Sequence, residues 1–225
     1  MARPRSAGYD DQRDAILAHA AALFAQQGYT ASSMNQVAAA CGLSKAALYH
    51  YVRDKHALLA LVAEGHVKRL EAVVQDVLAQ PLAPDARLRE LILRFVREYA
   101  SAQNEHRVLT EDVKFLGDEE RARVLAIERR VVDAFARTVA EVRPELQQAE
   151  LHKPLTMLLF GMINWMFTWL KPAEVGSPRL THEQMAPIVA ELFFGGLPAV
   201  AATAASRRDN DPAPRQKTAR KETAL

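Results

Sequence analysis

Apolar residues recur along this chain at the three- and four-residue spacing of a helix face, and no stretch alternates as a strand would. From Asp10 onward, Ile16, Leu17, Ala20, Leu23 and Phe24 form one stripe, and Gly28 follows as a stop. Ser33, three residues before Gln36, has the pattern of a capping box, and Met34, Val37, Ala38 and Cys41 continue at helical spacing up to Gly42. Ser44 then stands as a cap for a third helix over Lys45 to Val52, with Leu48 and Val52 on one face. Two short helices joined by a glycine-containing turn predict a helix-turn-helix.

Asp54 caps a fourth helix whose pattern persists through Leu70, Val74 and Leu78 to Pro81, long enough to leave the first unit and enter a second. Beyond Pro84 the periodic stretches are 85–103, 107–116, 118–142, 147–170 and 181–204, the last opened by a second capping box at Thr181 and Gln184. The fold class predicted is all-α: about nine helices, with an N-terminal helix-turn-helix domain followed by a C-terminal helical domain. Residues 1–56 form the first domain, 57–205 the second, and 206–225 read as a disordered basic tail.

In a helix-turn-helix the second helix enters the major groove by its N-terminal residues. With Leu48 and Val52 turned inward, Ser44, Lys45, Ala46, Tyr49 and His50 lie outward. Ala46 allows close approach to the groove, Lys45 reaches a phosphate or a guanine edge, and Tyr49 and Tyr51 offer hydroxyls to phosphates. Lys55, at the start of the fourth helix, meets a phosphate beside free amides. The competing reading makes Tyr49, His50 and Tyr51 packing aromatics of an ordinary short helix.

Charge supports a nucleic-acid end without requiring one. Residues 1–56 hold six basic against four acidic side chains and residues 206–225 six against three, while the whole chain of 225 residues carries a net charge of +2. One cysteine, Cys41, excludes an internal disulfide or a multi-cysteine metal site and is read as a small core residue. No leader pattern and no run of eighteen apolar residues is found, so the expectation is a cytoplasmic protein with no membrane partner.

The run Ala15 to Tyr29, then Ser33-Met-Asn-Gln-Val-Ala, Cys41-Gly-Leu-Ser-Lys, Leu48-Tyr-His-Tyr and Asp54-Lys55 with Leu58-Leu59, resembles the DNA-binding half of TetR-family repressors. The resemblance covers about residues 10–60 as an ordered series of motifs, which makes it specific. Val52 stands where many members have Phe, and Ala46-Ala47 where many have Gly or Pro with Thr. It implies DNA contacts at Lys45, Tyr49, Tyr51 and Lys55, and more variably at Ser33 and Asn35. It also implies a homodimer formed by the last two helices, and a small-molecule effector that changes the separation of the two recognition helices.

For the dimer, Met162, Trp165 and Met166 on one helix and Leu192, Phe193 and Leu197 on the other supply wide apolar faces with glycines among them; core helices of a monomer are the alternative. For the effector, Phe95, Tyr99, Phe115, Phe160, Asn164, Phe167 and Trp169 supply aromatic lining with one amide. Residues 108–116, the arginine-rich 121–142 and Gly161 to Met166 resemble the ligand domains of TetR-type repressors of fatty-acid, phenylacetate or branched-chain catabolism. That resemblance implies an acyl-CoA effector, phenylacetyl-CoA foremost, with Arg89, Arg94, Arg97, Arg107, Arg129 and Arg130 as cations for its phosphates. A hydrophobic drug or aromatic compound is the alternative.

No phosphate-binding glycine loop, nucleophile elbow or HExxH occurs, which speaks against an enzyme, and a helical adaptor would leave Lys45 and Tyr49 without purpose. No cofactor and no metal is expected: His106 near Glu111 and Asp112, and His152 near Glu150, read as exposed helix residues, and His56 and His66 receive no role.

Overall fold

The computed structural model describes residues 7–170 and 180–209. Its elements run α1 (Ala7–Gln27), α2 (Met34–Ala40), α3 (Lys45–Tyr49), α4 (Lys55–Leu78), α5 (Pro84–Ser101), α6 (Gln103–Glu111), a 3-10 turn at Val113–Phe115, α7 (Asp118–Val142), α8 (Pro144–Gln148), α9 (His152–Asn164), α10 (Met166–Trp169) and α11 (His182–Asp209). The described residues contain no strand, so the all-α class holds.

Local chemistry sets the first boundaries. Gly28 and Gly42 take left-handed backbone angles, φ 83° and 65°, and end α1 and α2. After α2 the Leu43 N–H reaches the Ala38 carbonyl and the Gly42 N–H the Ala39 carbonyl, closing the last turn. The capping box is formed as expected: Ser33 Oγ accepts from the Gln36 N–H, and the Ser33 N–H donates to Gln36 Oε1 at 2.8 Å. Ser44 and Asp54 cap α3 and α4 through the N–H groups of Ala47 and Ala57.

Two predicted helices are broken. The stretch 107–116 begins earlier, at Gln103, and stops at Asp112, whose buried carboxylate turns back to accept from the Tyr29 backbone N–H. The stretch 147–170 is divided among α8, α9 and α10, and the first of these breaks falls where a helix running through Pro154 would press its ring on the Glu150 carbonyl. Glu150 instead adopts φ 57° to close α8, and α9 restarts with Pro154 in its first turn, where no N–H is needed. α3 is likewise shorter than expected, since residues 50–51 tighten into i→i+3 bonds to Ala47 and Leu48.

α1, α2 and α3 close on Ile16, Phe24, Val37 and Leu48, all buried, with Leu58 and Leu59 of α4 completing that small core. α4 continues into the larger bundle, where it packs on α5, α6 and α7; α9 packs on α7, and α11 lies along α5. Residues 182–203 of α11 are long and apolar enough to cross a membrane by length and composition, although they form no unbroken apolar run, and one face of this segment, with Val189, Phe193 and Leu197, is buried in the bundle. The α11 backbone remains helical through Asp209, so the tail expected to be disordered does not begin at residue 206; its remainder lies outside the described residues.

Candidate nucleic-acid interface and effector cavity

The outer face of α3 carries exposed Ser44, Lys45, Ala46, Tyr49 and His50, while Leu48 and Val52 are fully or almost fully buried on its inner side. Ser33, the N-cap of α2, and Asn35 in its first turn are also exposed. The Tyr49 ring is 44% exposed, so the reading of it as a packing aromatic does not describe its place. Tyr51 is half-buried, and its ring stacks on Tyr9 at 4.7 Å, which lays the start of α1 beside the recognition segment. One expected contact is redirected. Lys55 Nζ points away from solvent and donates to the carbonyls of Tyr29 and Ser32, each at 2.8 Å, and of Thr30 at 3.4 Å, while lying 4.4 Å from the Tyr29 ring centre. An ammonium has three donors, so these carbonyls occupy all of them. Lys55 therefore pins the α1–α2 loop to the start of α4, and any phosphate at this helix end would meet backbone amides rather than this side chain.

The loop after α6 docks against this head. Tyr29 stacks on Phe115 at 5.3 Å, and the Gly117 N–H donates to His56 Nε2 at 3.0 Å. Burial, followed by the charges of Asp54 and Asp112, pushes the Tyr29 hydroxyl above its usual range; burial, followed by Glu111, does the same to Asp112. Phe115, expected in the ligand site, belongs to this junction instead.

A cavity of about 340 Å³ lies among α4, α5, α6, α7 and α9, lined by Val67, Leu70, Phe95, Tyr99, His106, Leu109, Thr110, Val113, Glu128, Val131, Val132, Met157, Phe160 and Asn164. It gathers four of the seven residues expected there: Phe95, Tyr99, Phe160 and Asn164. Phe167 stands one layer behind, its ring edge against His106 at 5.5 Å. Trp169 is turned out to the surface, 52% exposed. The cavity holds no lysine or arginine among its lining residues, and four of the six arginines offered as CoA partners are paired elsewhere: Arg89 with Glu191, Arg94 with Asp76 and Glu90, Arg107 with Glu111 and Arg130 with Glu71.

His66 and His106 are the residues the sequence reading missed. Both are buried, and His106 is not the exposed helix residue expected: it stacks on Tyr99 at 3.9 Å and faces His66, with Nδ1 and Nε2 3.3 Å apart. Burial lowers the pKa of His66 to about 3 and of His106 to about 4, so both rings are neutral. The available signal was periodicity. His66 shares the buried face of α4 with Leu59, Val62 and Leu70, and His106 that of α6 with Leu109. Cys41 caps α2 half-buried, with its thiol pKa raised by burial.

The residues expected at a dimer interface divide. Trp165 and Leu192 are each 65% exposed, and Met162 is half-buried. Met166, Phe193 and Leu197 are buried within the chain and serve its own core, because they lie on the inner side of α10 and α11. Leu158, Trp169 and Ile188 extend the exposed patch, and a Cβ added at Gly161, Gly195 or Gly196 would meet open space.

Residues 16–62 match the bacterial regulatory proteins of the tetR family, and residues 81–197 match the tetracyclin repressor-like C-terminal domain. Among solved structures, a TetR-family transcriptional regulator from Bordetella parapertussis 12822 is 31% identical with a TM-score of 0.74, covering 80% of this chain and 93% of that one. AibR, solved in complex with isovaleryl coenzyme A and operator DNA, is 27% identical with a TM-score of 0.69 over 80% of this chain and 97% of its own. The HTH-type transcriptional regulator AcrR of Shigella flexneri is 30% identical over 52% of this chain and 57% of its own length. The chain spans between 26% and 57% of the length of the curated relatives it matches.

Proposed function

The chain belongs to the TetR family of bacterial regulatory proteins, and on that premise we propose that it is a cytoplasmic transcriptional repressor rather than an enzyme, binding a pseudo-palindromic DNA operator as a homodimer and releasing it when a small molecule enters the cavity. Residues 1–56 carry the DNA-binding domain and residues 57–205 the effector and dimer functions. The observation that carries this reading is the division of α3, with Leu48 and Val52 locked inward while Lys45, Ala46 and Tyr49 stand free on the outer face. Ser33, Asn35, Ser44, His50 and the partly covered Tyr51 flank that face.

The homodimer is supported by the exposed apolar patch of Leu158, Trp165, Trp169, Ile188 and Leu192 with its uncrowded glycines, a surface that a monomer has little reason to leave to water. Two-fold symmetry of the protein would then be mirrored in the operator.

For the effector we propose an acyl-CoA thioester, phenylacetyl-CoA foremost. The aromatic cavity suits its acyl group, and AibR, a protein of similar structure, was solved with isovaleryl coenzyme A. The phosphates would stay outside the cavity, whose walls offer them no cation. That same lack of cations favours the second reading, in which the effector is an uncharged hydrophobic drug or aromatic compound. A mobility-shift titration of the chain's own promoter region with phenylacetyl-CoA, phenylacetate and uncharged aromatics tests both. Release by the thioester alone supports the first reading, release by the uncharged aromatics the second, and no shift of the promoter overturns the regulator reading.

A further inference from the structure

The hydrogen bonds around His66 and His106 fix which proton faces the cavity. Arg69 Nη2, which can only donate, lies 3.4 Å from His66 Nδ1, so that nitrogen is the acceptor. A neutral His66 then carries its proton on Nε2 and donates it to His106 Nδ1 across 3.3 Å. His106 in turn must carry its own proton on Nε2. That atom is buried and has no hydrogen-bond partner; the Asn164 backbone carbonyl lies near it without meeting bonding geometry. The whole His106 side chain is 3% exposed and lines the cavity, and Asn164 Oδ1 is a second buried polar atom without a partner on the same wall. A buried N–H without a well-formed acceptor is costly, and His106 stands on the cavity wall.

We propose that His106 Nε2–H is the specificity-determining donor of the cavity, and that its effector presents an uncharged carbonyl oxygen there (thioester, ketone, ester or amide) on a hydrocarbon or aromatic body. The inference rests on the effector-responsive reading above and names the class of molecule. Phe95, Phe160 and Val131 take the apolar body. A carboxylate is disfavoured, because no cation lines the space and Glu128, whose own pKa is raised by burial, stands on the wall. The relay from Arg69 through His66 holds the His106 tautomer, which makes His66 a positioning residue.

The test uses the full chain with nitrogen-15-labelled histidine and acetophenone as the probe. At neutral pH both rings should show the Nε2–H tautomer; a His106 protonated on Nδ1, or on both nitrogens, overturns the proposal. Acetophenone should move the His106 ring signals and bind about tenfold tighter than ethylbenzene, the hydrogen bond being the difference, with benzoate weaker still. In His106→Phe that preference should vanish. Equal binding of acetophenone and ethylbenzene by the unaltered chain, or binding of neither, overturns the proposal without recourse to a variant. The effector-responsive reading is judged apart, by release of promoter DNA with phenylacetyl-CoA. Release at an unchanged midpoint in His106→Phe keeps that reading and overturns this one, whereas acetophenone on His106 without any release by the thioester upholds this one and overturns the acyl-CoA reading.

Discussion

His56, in the first turn of α4, accepts a hydrogen bond from the backbone N–H of Gly117, the residue that precedes α7, at 3.0 Å. Together with the Tyr29–Phe115 stack, this bond ties the loop leaving α6 to the DNA-binding head, and α6 is a wall of the cavity. Occupancy of the cavity that shifts α6 would therefore be felt at the head through a contact of two hydrogen-bonding atoms and two rings.

His56→Ala should leave operator affinity within about threefold of the unaltered chain but weaken effector-driven release by about tenfold in effector concentration, the size of a modest coupling energy. Mobility-shift titrations with and without effector measure both. An unchanged release curve would place the coupling elsewhere.

Tyr49→Ala and Lys45→Ala should each lower operator affinity with folding intact, since both side chains are exposed. If Lys45 meets a phosphate, the slope of log affinity against log salt should drop by about one in Lys45→Ala. Lys55→Met should behave differently: it leaves three carbonyls of the α1–α2 loop without their donor and should cost about 1–3 kcal/mol of stability, read by thermal or urea melting.

The two buried histidines make stability depend on pH in a definite direction. Their folded pKa values, about 3 and about 4, lie below the ordinary value of 6.5. Between those limits the unfolded chain binds protons that the folded chain does not, so stability is complete above pH 6.5 and falls as pH drops toward 4. The slope should approach about 1 kcal/mol per pH unit for each histidine. Urea melts from pH 7 to 5 on the unaltered chain and on His66→Phe should show a shallower decline in the variant.

If the proposed dimer forms through this patch, Leu192→Arg should yield a monomer without unfolding the chain, because the side chain is 65% exposed in the single chain. Light scattering after size exclusion reads the mass, and operator affinity should fall with it.

Glu150 sits at φ 57° without being glycine, so Glu150→Gly should stabilise the chain by about 0.5–1 kcal/mol by relieving that conformation. Its exposed side chain gives the variant little else to lose.

Legibility followed the range of the interactions involved. Caps and stops are local, so Ser33, Ser44, Asp54, Gly28 and Gly42 could be read directly, and the inward turn of Leu48 and Val52 followed from their four-residue spacing. The break at Glu150 was also local in origin, through Pro154, but the apolar periodicity of the flanking segments masked it. What the sequence hid was long-range. Lys55 reaches carbonyls more than twenty residues away, Phe115 finds Tyr29, and His66 meets His106 forty residues on. Composition alone also could not divide the apolar faces of α9, α10 and α11 into Met166 and Phe193 for the core and Trp165 and Leu192 for the surface.

The length of α4 sets the gearing of the molecule. Its 24 residues extend about 36 Å at the rise of an α-helix, with the cavity beside its middle and the DNA-binding head at its first turn. A tilt of about 5° pivoting at the far end would carry that first turn through an arc of about 3 Å, a sizeable error in register against half-sites about 34 Å apart. Displacements of about 1 Å beside a bound molecule, where Val67 and Leu70 lie about 12–16 Å from that pivot, are thus roughly doubled or tripled at the head by plain geometry, and shortening or kinking this one rod would blunt the response while sparing both binding sites.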